Sequence, residues 1–172
     1  MKKLILFATI LILTGCKEKR SERIIKKDMF VFSFVSEGVD FSLKFTGGDS
    51  IYLLKKYPLP KETFIAIPKK QDKNSIQSLV NKLDFSMYDT IYNQTNLKDG
   101  TAFKFYKVKN DSVHQIYVYG HIAPEELYEI ADRLLQIQKR QRWAVTNNMV
   151  DFGNQDNINY SASKARESTD SN

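Results

Sequence analysis

Apolar and polar residues alternate cleanly from Val39 to Thr46. Val39, Phe41, Leu43 and Phe45 fall on one side, Asp40, Ser42 and Lys44 on the other. A period of two marks a strand with one face on a core and predicts solvent on the Asp40/Lys44 side. Gly47 and Gly48 can both take positive φ, and "DSIYLL" follows, so residues 39–55 predict a β-hairpin. Upstream, "FVFSFV" (residues 30–35) has strand composition. Downstream, Pro58 and Pro60 break the pattern, and "TFIAI", closed by Pro68, predicts a short edge strand. A second hairpin is predicted from "TAFKFYKV" (residues 101–108), a polar turn at "KND", and "SVHQIYVYG" (residues 112–120).

Two segments change to a helical period. Ile76, Leu79, Val80 and Leu83 stand at i, i+3, i+4 and i+7, with Asn74 and Gln77 as a capping pair. The second helix opens with Pro124, Glu125 and Glu126. It carries Leu127, Ile130, Ala131, Leu134 and Ile137 as its stripe and closes with Lys139, Arg140 and Arg142, cations that suit the dipole. The expected fold is α+β: a single domain, residues 29–146, with an antiparallel sheet built of two hairpins and two helices packed on one face. Between the first helix and second hairpin, "DFSMYDTIYNQTNLKDG" reads as a loop. From Asn147 the chain turns polar, so residues 147–172 read as a disordered tail. A faint echo at an offset of 62 sets Phe41, Leu43, Asp49, Ser50 and Ile51 against Phe103, Phe105, Asp111, Ser112 and Val113, which supports an internal duplication, although the helices do not keep that offset.

The N-terminus has its own logic. Lys2 and Lys3 precede the ten-residue apolar run Leu4–Leu13. A helix of that length covers about 15 Å, and a bilayer core of roughly 30 Å needs about 20 residues, so the run reads as a secretory signal. Leu13, Thr14, Gly15 and Cys16 follow it, and Cys16 is the only cysteine of the chain. This stretch closely resembles the lipobox of bacterial lipoproteins. The resemblance implies that residues 1–15 are removed, that the Cys16 thiol carries a diacylglycerol, and that the new amino group is acylated, commonly with a chain such as palmitate. Several acyl chains, at about 0.8 kcal/mol per buried CH₂, anchor far more firmly than one.

Charge then becomes local. Without Lys2 and Lys3 the chain holds 24 basic and 20 acidic residues, and "KEKRSERIIKK" (residues 17–27) alone holds six basic against two acidic. Residues 16–28 therefore read as a lipidated basic tether, attracted to anionic headgroups by up to about 1 kcal/mol per charge. Lys17 stands where an Asp would favour inner-membrane retention, which points to the outer membrane, facing the periplasm. The expected partners are the membrane, through Cys16, and an envelope protein. Nucleic acid is not expected, since no basic patch is interleaved with aromatics.

Candidate chemistry is thin. One cysteine and two histidines, His114 and His121, supply neither a disulfide nor a metal cluster, so no catalytic residue, metal or cofactor is assigned. His114 is expected partly buried, facing with Ile116 and Val118. Tyr117 and Tyr119, with His121 and Glu125 at the strand-to-helix junction, form the candidate binding surface: amphipathic rings bury large areas at low rotamer cost. Asp49-Ser50-Ile51, Asp89-Thr90-Ile91 and Asp111-Ser112-Val113 resemble an O-glycosylation sequon of some bacterial envelopes, which implies Ser50, Thr90 and Ser112 as candidate acceptors. An Asx turn followed by a strand explains the same tripeptides without sugar. Tyr88, Tyr92, Asp99 and "APEEL" (residues 123–127) are similar to positions in uncharacterised small domains of other envelope lipoproteins, which adds to the fold expectation alone. The expectation for function is a lipid-anchored, non-enzymatic binding or structural module of a bacterial envelope. Its rivals are an inhibitor or immunity lipoprotein against a toxin or hydrolase and, third, an envelope hydrolase that uses His121 with Glu125 or Glu126.

Overall fold

The computed structural model describes residues 28–153; the readings on Leu13, Thr14, Gly15, Cys16, the tether up to Lys27 and residues 154–172 lie outside them. The described chain runs through β1 (Met29–Ser36), β2 (Val39–Phe45), β3 (Ile51–Tyr57), β4 (Glu62–Ala66), α1 (Lys70–Lys82), a 3₁₀ turn (Phe85–Met87), β5 (Ile91–Asn93), β6 (Ala102–Lys109), β7 (Ser112–Tyr119), α2 (Glu125–Arg140) and β8 (Ala144–Val145). All eight strands join one open α+β sheet in the order β5-β7-β6-β1-β2-β3-β4-β8. Every neighbouring pair is antiparallel except β5–β7.

β1 explains the core. It lies between β2 and β6 at the centre of the sheet, with the helices packed over one face and Phe152 against Met29 and Val31 on the other, and Met29, Phe30, Val31, Phe32 and Ser33 are all buried. A strand shielded on both sides needs apolar residues at nearly every position, hence "MFVF". Phe30, Phe32 and Phe34 face the helices. Phe30 and Phe32 stack on Phe105 at 6.1 and 5.5 Å between ring centroids, and Phe103 meets Phe105 edge-on at 5.4 Å. Onto this aromatic layer the two helices set Ile76 and Leu79, then Leu127, Ile130, Ala131, Leu134 and Ile137. The expected α2 stripe and its buried residues coincide.

β1 also accounts for the echo at offset 62. Phe30 stands opposite Phe45 and Lys107, Phe32 opposite Leu43 and Phe105, Phe34 opposite Phe41 and Phe103. β2 and β6 thus share one register on a common strand. Their hairpins share strand direction and inward face but lie on opposite sides of β1, so no rotation carries one onto the other. The echo reflects that shared register and not a duplicated module.

Several expectations need correction. The sheet is more than two hairpins, because β1 fuses them at the centre and the short β5 and β8 extend its edges. The stretch read as a loop holds the 3₁₀ turn and β5, which pairs in parallel with β7; three residues are too few to show a period. α1 starts at Lys70, with Lys69 at its N-cap and no side-chain cap, so Asn74 lies inside it, and Gln77 bonds Asn81 instead. Its first turn is wholly polar and therefore silent in hydrophobic periodicity.

The second face of the sheet is not open to solvent along the Asp40–Lys44 side. After α2 the chain adds β8 to the β4 edge, and Thr146 N–H donates to the Thr63 carbonyl. Of residues 147–153, expected in the polar tail, Asn147–Met149 are exposed, but Phe152 is buried with Met29, Val31, Tyr106 and Val108, and Val150, like Tyr52 and Leu54, packs against that cluster. Lys44 Nζ donates to the Asp151 carbonyl, and Asp40 pairs with Lys56 at 3.3 Å. Ser42, expected outside, is fully buried and bonds Ser33 Oγ at 2.8 Å.

Candidate functional site

The four residues of the expected binding surface divide between two places. Tyr117 and Tyr119 belong to the face without helices, opposite Lys104 and Ala102. Tyr119 is buried and its hydroxyl donates to the Leu97 carbonyl at 3.1 Å, so that ring is a packing element. Tyr117 is half-buried. Gly120, at φ +89, then turns the chain. A side chain there would run into Gln94 and Leu97, within 2.8 Å of an added Cβ. His121 and Glu125 follow on the rim, both exposed. The His121 ring lies over Tyr128, on the helix side, at 6.4 Å between centroids. His114 shares the face of Ile116 and Val118 as expected but is exposed; it stands opposite Lys107 and its ring lies 5.9 Å from that of Phe85.

The other acid considered for hydrolysis, Glu126, faces elsewhere. Its carboxylate accepts the Tyr88 hydroxyl at 2.5 Å and pairs with Lys82 at 2.7 Å, tying the last turn of α1 to the first of α2. The bond to Glu126, with burial second, pushes the Tyr88 phenol up to about 12, so it stays protonated at neutral pH. The bonds from Lys82 and Tyr88 hold Glu126 below the ordinary carboxylate range. The protonated phenol and the charge-paired carboxylate together form a clasp between the end of α1 and the start of α2. At the far end of the helix pair, Asp72 takes Arg140 at 2.7 Å and Gln141 at 3.0 Å. No group of three or more His, Cys, Asp or Glu among the described residues is placed to hold a metal ion.

A concavity of about 340 Å³ lies at the end of the sheet where β1 starts, between the sheet and α1. Its floor is apolar: Phe30, Phe45, Ile51, Ile76 and Val80. Lys73, Lys107 and Lys109 stand at its edges, and Thr46, Gly47, Gly48 and Ser50 form one wall. Asp28 is the lining carboxylate and is already engaged, accepting the Asn110 N–H at 3.1 Å. Asn110 and Asp111 both have positive φ, as a two-residue type I′ turn requires, and this places Lys109 beside Asp28. Lys73 pairs with Asp49 at 2.7 Å, and Lys107 Nζ lies 5.8 Å over Phe85. A second groove, of about 740 Å³, lies between the helices; most of its lining is polar, with Lys70, Arg133 and Arg140 along it, but Leu79 and Ile137 also contribute.

Sequence reasoning missed the cleft because its lysines come from two elements, α1 and β6, that converge only in the fold. The one local signal was Gly47-Gly48, read for its turn and not for the wall it forms. Of the candidate acceptors, Ser50 lies half-buried at the cleft, while Thr90 and Ser112 are exposed. No known protein family, curated protein or solved structure matches this chain. No helix among the described residues is long and apolar enough to cross a membrane.

Proposed function

We propose that this protein is a lipid-anchored, non-enzymatic binding module of a bacterial envelope, attached through Cys16, and that its ligand site is the cleft beside Asp28. The observation that carries the reading is the position of that cleft. Asp28, the first described residue, lines it, and the basic stretch of residues 17–27 is joined directly to that residue in the chain. The twelve residues from Lys17 to Asp28 reach at most roughly 40 Å, which holds the cleft close to the membrane surface. Its volume sits at the lower end of the usual ligand range of about 300–1,000 Å³. An apolar floor with Lys107 and Lys109 at its edge complements an amphipathic anion, an alkyl chain ending in a carboxylate or phosphate, while Lys73 is held by Asp49 and Asp28 takes the Asn110 N–H. Confinement by the anchor raises the local concentration of such a ligand.

The test uses the full acylated chain in nanodiscs with a photoreactive long-chain carboxylate as probe. The expected result is a cross-link mapped to Ile76, Val80 or Phe45, cut at least fivefold when Lys107 and Lys109 are both changed to Glu. Labelling spread evenly over the surface, or unchanged in that variant, would remove the cleft from the reading. Cys16→Ala is expected to abolish acylation, read by mass spectrometry as loss of the lipid mass; a lipid mass that persists in this variant would sink the anchor assignment independently of the cleft.

A further inference from the structure

The two helices are tied together at their ends and left apart between them. At one end Asp72 accepts Arg140 at 2.7 Å and Gln141 at 3.0 Å; at the other, Lys82 pairs with Glu126 at 2.7 Å. No other hydrogen bond or ion pair among the described residues joins α1 to α2. The stretch of α1 from Asp72 to Lys82 is about 15 Å long at helical rise. Along it lies the groove of about 740 Å³.

Each helix gives one face to this groove. Arg133, Gln136 and Arg140 stand at i, i+3 and i+7 on α2, and Lys70, Asn74 and Ser78 at i, i+4 and i+8 on α1. All six are exposed, and buried Leu79 and Ile137 make a small apolar floor. The cleft uses the other flank of α1, with Lys73, Ile76 and Val80, so the two concavities share no residue.

No carboxylate lines the groove. Asp72, at its end, is already held by Arg140 and Gln141. Glu129, one turn before Arg133, stands outside the lining. Neither Lys70 nor Arg133 forms an ion pair among the described residues. The groove is therefore cationic, with neutral amides and hydroxyls between its charges.

That chemistry selects a ligand. A peptide is held by free backbone groups or by apolar pockets. Mid-helix N–H and C=O groups are used within each helix, and the apolar floor is only two side chains. What remains are Gln71, Asn74, Ser78 and Gln136, which both give and accept hydrogen bonds as sugar hydroxyls do. Arg133 adds a planar fork that matches an acidic group.

We propose that this groove is a second binding site, for a short acidic saccharide, with Arg133 on its acid and Asn74, Ser78 and Gln136 on its hydroxyls. The span between the two ties suits a di- or trisaccharide. The site is independent of the cleft and stands whether or not the cleft takes an alkyl anion.

The experiment is isothermal titration of the full acylated chain, in nanodiscs of zwitterionic phospholipid, with trigalacturonate as probe. Binding is expected, weakened about tenfold in Arg133→Gln and also by added salt. Asn74→Ala should weaken it about threefold. Both side chains are exposed, so neither variant should move the urea midpoint. Changing Lys107 and Lys109 to Glu should leave binding unchanged. Two further probes separate charge from hydroxyls: the fully methyl-esterified trisaccharide and propane-1,2,3-tricarboxylate. Each should bind about tenfold more weakly than trigalacturonate. A tricarboxylate that binds as tightly would reduce the groove to a bare anion site, and an ester that does so would remove Arg133 from the assignment; either overturns it. So would no binding of trigalacturonate. Loss in the Lys107 and Lys109 variant with none in Arg133→Gln would overturn it too, by moving the ligand to the cleft.

Discussion

The two faces of this sheet are covered by different means. On one, α1 and α2 lay periodic apolar stripes over a continuous layer of Phe30, Phe32, Phe103 and Phe105. On the other, an irregular segment holds the sheet through Val150, the Asp151 carbonyl and the single buried ring of Phe152, next to a polar centre. The first cover is redundant, since each helix residue shares its load with several others. The second depends on few contacts, and losing one opens a larger fraction of it. The same sheet thus combines a strongly buried side with one whose closure rests on a short stretch of chain.

That contrast predicts an order of effects. Phe105→Ala, at a fully buried ring within the aromatic layer, should cost about 3–5 kcal/mol, measured as the loss of unfolding free energy in urea. Phe152→Ala should cost less, about 2–3 kcal/mol, because the segment can retract and relieve its own cavity. It should also raise amide exchange selectively on β1 and β6 near Met29 and Val108. Equal costs at the two sites would show that the second face is as integral as the first.

Within the first face, Asp72→Asn unties the end of α1 from Arg140 and Gln141. Arg140 is half-exposed, so the expected cost is under about 1 kcal/mol at neutral pH. Burial raises the Asp72 pKa, but the bonds from Gln141 and Arg140 outweigh it and hold the carboxyl below its ordinary 3.8. A carboxyl lowered on folding stabilises above its unfolded pKa and loses that contribution as pH falls through the folded value. The gap between wild type and Asp72→Asn should therefore be full at pH 7 and close below about pH 3.8; a constant gap would contradict the pairing. Tyr88→Phe, at the opposite end of the helix pair, should have the smallest effect, read as a slight fall in the urea midpoint. Its pH dependence has the opposite sense: a phenol raised to about 12 stabilises fully below 10 and loses that contribution as pH rises through 12.

How much of this was legible depends on whether the signal was local. The α2 stripe and the alternation of Phe41, Leu43 and Phe45 were readable because burial on one side repeats at the period of the element itself. The mate of that alternation was misread. Asp40, Ser42 and Lys44 are polar, and polarity alone does not distinguish a wet face from a dry one with its own partners. Phe152 was hidden in a run of polar residues, where one aromatic makes no pattern. His114 was assigned the right side of its strand but the wrong exposure, because the reach of the helices over the sheet is not written in β7. The cleft had no local trace, being made from the starts or ends of β1, β2 and β6 together with the flank of α1.

By itself, then, the sequence determined the hairpins, the two helices and their buried stripes, and it carries the Leu13–Cys16 pattern and the basic stretch after it. Periods of two and 3.6 and the turn residues express backbone geometry residue by residue. Only the tertiary structure decided that β1 lies at the centre, that β5 and β8 extend the edges, and that residues 146–153 cross the second face. It also decided that Lys73, Lys107 and Lys109 gather around one apolar floor. These are pairings between segments distant in the chain, chosen by which surfaces fit and exclude water together, and no single stretch encodes its own partner.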